Sequence, residues 1–287
     1  MTTLPLILAV LAGMSNAVMG VLAKQAERSA CRPVVMPVLF LGTVTVIAAC
    51  ALPVARSGWG DRWLWTLAVG MGLGYVAALQ SMLLANRSCP PSLVWSLTNL
   101  SLVVPIALAP LLLHESWKPL DGLLIAAFVA MLALYRLGMG QTGEAAKVPW
   151  SQAWLPLIGV FFSNGLLMLG YKVKMQHWPE VGAFPFIVLI FGTGALLGLL
   201  AVCRSRTRIA NVEWQWGTLM GTAAMAANFC LLGAVVLPAV VAFPLIQGTA
   251  LVGGTLLMLA LFGEPLNLCK ISGLCCGGLV LALAMLR

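Results

Sequence analysis

Ten stretches of this chain, each about twenty residues long, carry almost no charge and match the length a helix needs to cross the hydrocarbon core of a bilayer. They run Leu4–Ala23, Val34–Ala55, Trp63–Leu84, Ser92–Leu113, Leu120–Leu137, Trp154–Tyr171, Val181–Cys203, Trp214–Val236, Ala239–Leu261 and Asn267–Leu286. A backbone inside lipid must satisfy its own N–H and C=O groups, which leaves helices or a closed barrel. No stretch alternates with the two-residue period of a barrel strand, so the expected fold is an all-α integral membrane protein of ten transmembrane helices. Charged residues make up 8% of the 287 and apolar residues 61%. A water-facing domain carries about 25% charged residues, so no soluble domain of useful size fits between the spans.

The positions of a few polar residues add a second constraint. Ser15-Asn16 is followed eight residues after the Asn by Lys24, and Ser163-Asn164 is followed at the same distance by Lys172, 148 residues further on. The second set lies five spans after the first. An odd number of crossings inverts the direction of entry, so a duplicated unit would sit upside down relative to its twin. Pro37 and Pro185 repeat the offset, Trp63-x-Trp65 and Trp214-x-Trp216 open corresponding spans, and Glu115 and Glu264 follow corresponding spans. The domain organisation read from this is a first five-helix repeat over 1–137, a polar linker over 138–153 and a second five-helix repeat over 154–287, giving two inverted five-helix repeats.

The remaining composition excludes several classes. The net charge of +8 is spread over short loops and is densest at Arg204, Arg206 and Arg208. A basic cluster at a membrane edge meets anionic lipid head groups, so membrane lipids are expected partners. Without aromatic–basic interleaving or zinc-finger spacing, nucleic acid is not. Eight cysteines are scattered without a CxxC pair, which gives neither a disulfide frame nor a metal site. No cofactor is implied. The first apolar stretch lacks a basic leader and is long, so it is read as a retained helix rather than a signal peptide. Ten spans put both termini on one side. Loops on the opposite side hold ten Lys/Arg against six on the termini side, and the positive-inside rule then favours termini outside.

With two five-helix halves, the Ser-Asn pairs in spans one and six, and the acidic turns His114-Glu115-Ser116-Trp117 and Gly263-Glu264-Pro265-Leu266, the chain resembles the EamA-like ten-helix branch of the drug/metabolite transporter superfamily. The stretch from Pro244 to Gly277-Gly278 is also similar to the small multidrug resistance transporters. The resemblance implies movement of small metabolites through a central cavity, both termini cytoplasmic against the loop count, and a location in the bacterial inner membrane. In the small multidrug resistance relatives a carboxylate lies eight residues before the terminal Lys of the first helix. Here that place is taken by Asn16 and Asn164, and no carboxylate lies well inside a span. Proton exchange against cations needs an ionisable group at membrane depth, so this chain departs from that chemistry.

The candidate substrate-binding residues follow. Asn16 and Asn164 near mid-span offer donors and acceptors without charge. They either face a shared cavity for a neutral or zwitterionic solute or hydrogen-bond between helices. Gln80 and Asn228 are near-equivalents, displaced slightly in register. Trp95 and Asn99 (with Ser92 and Ser96) in the fourth span and Gln247 and Phe243 in the ninth complete the set. Polar groups within a span are expected to point inward, whether as cavity lining or as helix-to-helix contacts. Lys24 and Lys172 end their helices, where snorkelling to head groups is the expected behaviour. Glu115 and Glu264 are expected to order the turns that follow. Glycines in spans three, eight and ten allow close helix approach and are candidates for a homodimer contact. Pro105 and Pro110 can kink the fourth span. The function expected is a secondary transporter of a small polar or amphipathic metabolite by alternating access. A lipid-carrier translocator or a channel-like uniporter is the alternative. An intramembrane enzyme or a structural scaffold ranks lower, because no catalytic motif occurs and a scaffold gives no reason for matched amides.

Overall fold

The computed structural model describes residues 3–286 except 33, 56–57, 89–90, 140–149, 205–207 and 264–267; for Ser92, Trp95, Ser96 and some other helical residues the backbone alone is described. Every regular element among the described residues is a helix: α1 (Thr3–Arg28), α2 (Met36–Ala55), α3 (Arg62–Ser88), α4 (Pro91–Leu100), α5 (Val103–Leu113), α6 (Pro119–Met139), α7 (Trp150–His177), α8 (Ala183–Arg204), α9 (Asn211–Ala234), α10 (Ala239–Phe262) and α11 (Leu268–Leu286). Seven of them are long and apolar enough to cross a membrane, and the chain is a helical membrane protein. Helices α6 and α7 run into both ends of the expected linker, whose centre lies outside the described residues.

The fourth span differs from expectation. It is two helices, α4 and α5, separated at Ser101-Leu102. The cause is local. Pro105 has no N–H to give the carbonyl of Ser101, which instead takes the N–H of Val104 at 3.0 Å, a tighter three-residue bond. Leu102 likewise bonds back three residues, to Asn99, at 3.3 Å. The corresponding span in the second half, α10, is unbroken. The residue 148 positions after Pro105 is Gly253, which can supply its N–H.

Packing runs mainly between the two halves of the chain rather than within them. α1 lies against α9 and α10, α7 against α3 and α5, α2 against α8 and α9, α3 against α8, and α6 against α11. The larger hydrophobic cluster takes residues from both halves, from Ala9 to Ala284, and a smaller one joins Ala85 and Val94 to Leu157 and Val160. Several crossings depend on glycine, and two of them match each other. A Cβ added at Gly72 would lie 2.6 Å from the carbonyl oxygen of Ile190 and 2.7 Å from Cβ of Thr193; at Gly221 it would lie 2.8 Å from the carbonyl oxygen of Phe40 and 2.5 Å from Cβ of Thr43. Thr43 and Thr193 turn their hydroxyls back to Leu39 and Leu189 of their own helices, at 2.8 and 2.7 Å, and so present methyl groups to the crossing. These glycines, like Gly217 against Leu39 and Gly277 against Val252, are used inside one chain.

Candidate solute-binding site

The two Ser-Asn motifs have different surroundings. On α7, the Asn164 amide donates to the carbonyl of Thr98 at 3.1 Å and to the Ser101 hydroxyl at 2.7 Å, and that hydroxyl donates to the Thr98 carbonyl at 2.5 Å. Asn164 thus satisfies backbone left open by the break between α4 and α5, as unwound backbone at membrane depth requires. Gly165 makes the approach possible, since a Cβ there would lie 2.6 Å from Cβ of Val104 and 2.8 Å from the carbonyl oxygen of Ser101.

The same face of α7 continues to Tyr171, which is fully buried and donates its hydroxyl to the Asn228 amide oxygen at 2.7 Å. Next to it, Lys172 departs from the expected snorkelling. Its side chain is 5% exposed and its ammonium lies 2.6 Å from the Glu115 carboxylate. The ammonium also donates to the carbonyls of Val235, at 2.9 Å, and Leu237 just past the end of α9, and Glu115 accepts the N–H of Ala239, the first residue of α10, at 2.8 Å. The cation therefore meets the negative end of one helix and the anion the positive end of the next. Glu115 orders more than its own turn, because it ties α5, α7 and the α9–α10 connection together.

On α1 the equivalent face is open. Asn16 is half-buried and its amide makes no hydrogen bond among the described residues. Gly20 and Ala23 stand where α7 carries Met168 and Tyr171. A Cβ at Gly20 meets nothing within 4 Å, and Ala23 is exposed. These positions lie opposite the stripe of Ile7, Leu11, Met14 and Val18, whose exposed side chains mark the lipid face. Lys24 is half-buried and engaged.

Between the motifs, the Gln247 amide donates to the Asn99 amide oxygen, and these two residues stand 148 apart in sequence. Phe243 is 1% exposed, packed in the core with no open face. Gln80 departs from the expected inward direction. It is exposed, in line with Val69, Leu73 and Leu84 on the outer stripe of α3. The glycine crossings explain this, for Gly72 and Gly221 stand 149 apart and not 148. In this helix Asn228 therefore corresponds to Leu79, and one residue of slip rotates a side chain by about 100°. The side chain of Trp95 and all of Glu264 lie outside what is described.

A further contact joins the α1–α2 connection to the start of α9. Arg32, in the α1–α2 connection, donates to the Glu213 carboxylate at 2.8 and 2.6 Å, and the hydrogen bond holds the guanidinium pKa above its ordinary value. At the start of α3, Asp61 accepts the N–H groups of Trp63 and Leu64 at 3.1 and 3.0 Å, and the Leu64 bond holds its carboxyl below the usual range. Glu213, in the first turn of a span opened by Trp214-x-Trp216, was legible as a helix-start acid. Its partner across 181 residues was not.

No protein-family model matches this sequence, and no curated protein matches it. A solved crystal structure described only as "Crystal structure of protein" is similar in fold, with a TM-score of 0.73 over 97% of this chain and 98% of that one at 16% identity. At that identity the likeness shows the fold alone: the helical arrangement of the described residues is one that a crystal structure also displays.

Proposed function

We propose that this chain is a secondary transporter of a small polar or amphipathic metabolite, working by alternating access between two inverted five-helix repeats in the manner of the EamA-like drug/metabolite transporters. The observation that carries this reading is the exchange symmetry of the packing. Swapping each helix for its counterpart turns α1 on α9 and α10 into α7 on α3 and α5, turns α2 on α9 into α8 on α3, and returns α2 on α8 and α6 on α11 to themselves. Residues that share a repeat position and also touch must lie near the exchange axis, and Asn99 with Gln247 is such a pair. Repeat interfaces of this kind carry substrate sites near the bilayer midplane.

By the parity of ten crossings, the Lys172–Glu115 clasp lies on the side of the chain termini, which is the cytoplasm by resemblance. The open face of α1 then looks to the other side. The buried carboxylate Asp121 accepts the N–H of Lys118 at 2.9 Å at the start of α6, which accounts for it as a helix cap.

The test is reconstitution in proteoliposomes with a panel of radiolabelled metabolites. Saturable uptake that is accelerated by the same unlabelled solute on the far side supports a carrier. Flux that stays linear with concentration and shows no such acceleration would replace it with a channel.

A further inference from the structure

Thr249 is 6% exposed and its hydroxyl has no hydrogen-bond partner among the described residues. An unpaired buried hydroxyl is costly, and buried polar groups are nearly always satisfied. The helical threonines Thr43, Thr45, Thr98, Thr193 and Thr255 each donate to the carbonyl four residues back, and Thr249 does not. Its hydroxyl bonds neither its own helix nor a neighbour among the described residues. Its Cβ lies against α1, 2.6 Å from where a Cβ on Gly13 would be. Asn16, one helical turn beyond Gly13, has the second unpaired group, and beside it Gly20 leaves open space.

The second half shows what these groups lack. Thr249 stands 148 residues after Ser101, and Ser101 is the hydroxyl that Asn164 bonds. On α7 the amide and hydroxyl satisfy each other. On α1 both groups are unpaired: the Thr249 hydroxyl is enclosed where α10 crosses α1, and the open space begins at Gly20, one turn beyond Asn16.

We propose that the solute site is one-sided: the Asn16 carboxamide and the Thr249 hydroxyl together bind an uncharged polar group, a hydroxyl or carboxamide that both donates and accepts, while Asn164 serves structure. This rests on the transporter reading above. It names the neutral class because both groups are uncharged and each offers a donor and an acceptor. A charged group placed between them would be desolvated without a counter-ion.

The test uses the full chain in vesicles, with its native cysteines replaced and Gly20→Cys introduced. A membrane-impermeant cationic thiosulfonate reports access to that position. The probes are glycerol, myo-inositol and nicotinamide, with their charged relatives glycerol phosphate and nicotinate as controls. The expected result is rapid labelling of Gly20→Cys, slow labelling of Met168→Cys, and protection of Gly20→Cys by at least one neutral probe but by neither charged one. Asn16→Leu and Thr249→Val should each weaken that protection about two- to tenfold, the loss for one hydrogen bond, and Thr249→Ser should retain it. Protection by charged probes alone, by no probe, or undiminished in Thr249→Val overturns the site. Flux of a metabolite in proteoliposomes is read in parallel. Flux that persists unchanged in Asn16→Leu and Thr249→Val sinks this site and leaves the transporter, whereas protection without any flux keeps the site and sinks the transporter.

Discussion

The C-terminal halves of α1 and α7 start from the same Ser-Asn and reach Lys after the same eight residues, yet one face is sealed and the other is open. Asn164, Tyr171 and Lys172 are all bonded to other helices. Asn16 makes no hydrogen bond among the described residues, Gly20 meets open space and Ala23 is exposed. The motif does not set its own environment. What decides is the helix opposite. α7 faces a span broken at Pro105, whose free backbone attracts the amide. α1 faces an unbroken α10, where Gly253 stands in the place of Pro105. On the proposed reading the two copies of one motif divide the work: Asn16 lines the site and Asn164 holds the broken span.

The strongest way to break this contrast is at the clasp. Lys172→Met leaves Glu115 without its cation beside buried helix ends, and breaking a buried pair costs about 3–5 kcal/mol. The double variant Lys172→Met with Glu115→Gln removes both charges and should recover most of that loss, because Gln can still accept the Ala239 N–H. Thermal unfolding in detergent reads both. An unchanged midpoint in Lys172→Met would mean the pair does not hold the closed end.

Glycine gives the next largest difference. Gly165→Leu forces a side chain into Val104 and the Ser101 carbonyl, and overpacking of this sort costs about 1–3 kcal/mol. Gly20→Leu enters open space and should stay within about 0.5 kcal/mol of the parent. Equal losses in the same unfolding assay would refute the open face of α1. Below these lies the amide pair. Asn164→Ala loses two interhelical bonds, of which one is worth about 0.6 kcal/mol on average, whereas Asn16→Ala loses none and should leave stability unmoved.

The sequence carried the helical class and the positions of most helices, because twenty apolar residues have few alternatives in lipid. It marked Pro105 as a kink without telling that the helix would part there, since the break also needs Asn164 and Gly165 from another helix. Gln80 was misdirected by a slight slip in register, which the motifs showed but whose consequence, a side chain turned out of the core, is set by the glycine crossing. The fate of Lys172 was illegible for a different reason. A lysine at a helix end snorkels or pairs according to what lies across from it, and Glu115 arrives there from 57 residues away. The Asn99–Gln247 contact was within reach, for two polar residues 148 apart in apolar spans are candidates to touch if the spans repeat.

The smallest effect expected comes from the helix starts. Asp61 and Glu213 both serve the N-terminal turn of a helix, α3 and α9. Glu213 also holds Arg32, while Asp61 bonds only N–H groups, led by that of Leu64. Those bonds favour the ionised form and depress the folded pKa below the unfolded value of about 3.9. A depressed carboxyl contributes stability that is present above the unfolded pKa and is lost as pH falls through the folded one. Asp61→Asn keeps an acceptor at the helix start but cannot titrate. Its unfolding midpoint should therefore lie slightly below the parent at neutral pH and converge with it as pH falls below the depressed folded pKa. A gap that widened on acidification would mean that Asp61 is not held ionised by the turn it caps. The contrast between a helix start that depends on N–H donors alone and one braced by a guanidinium would then fail.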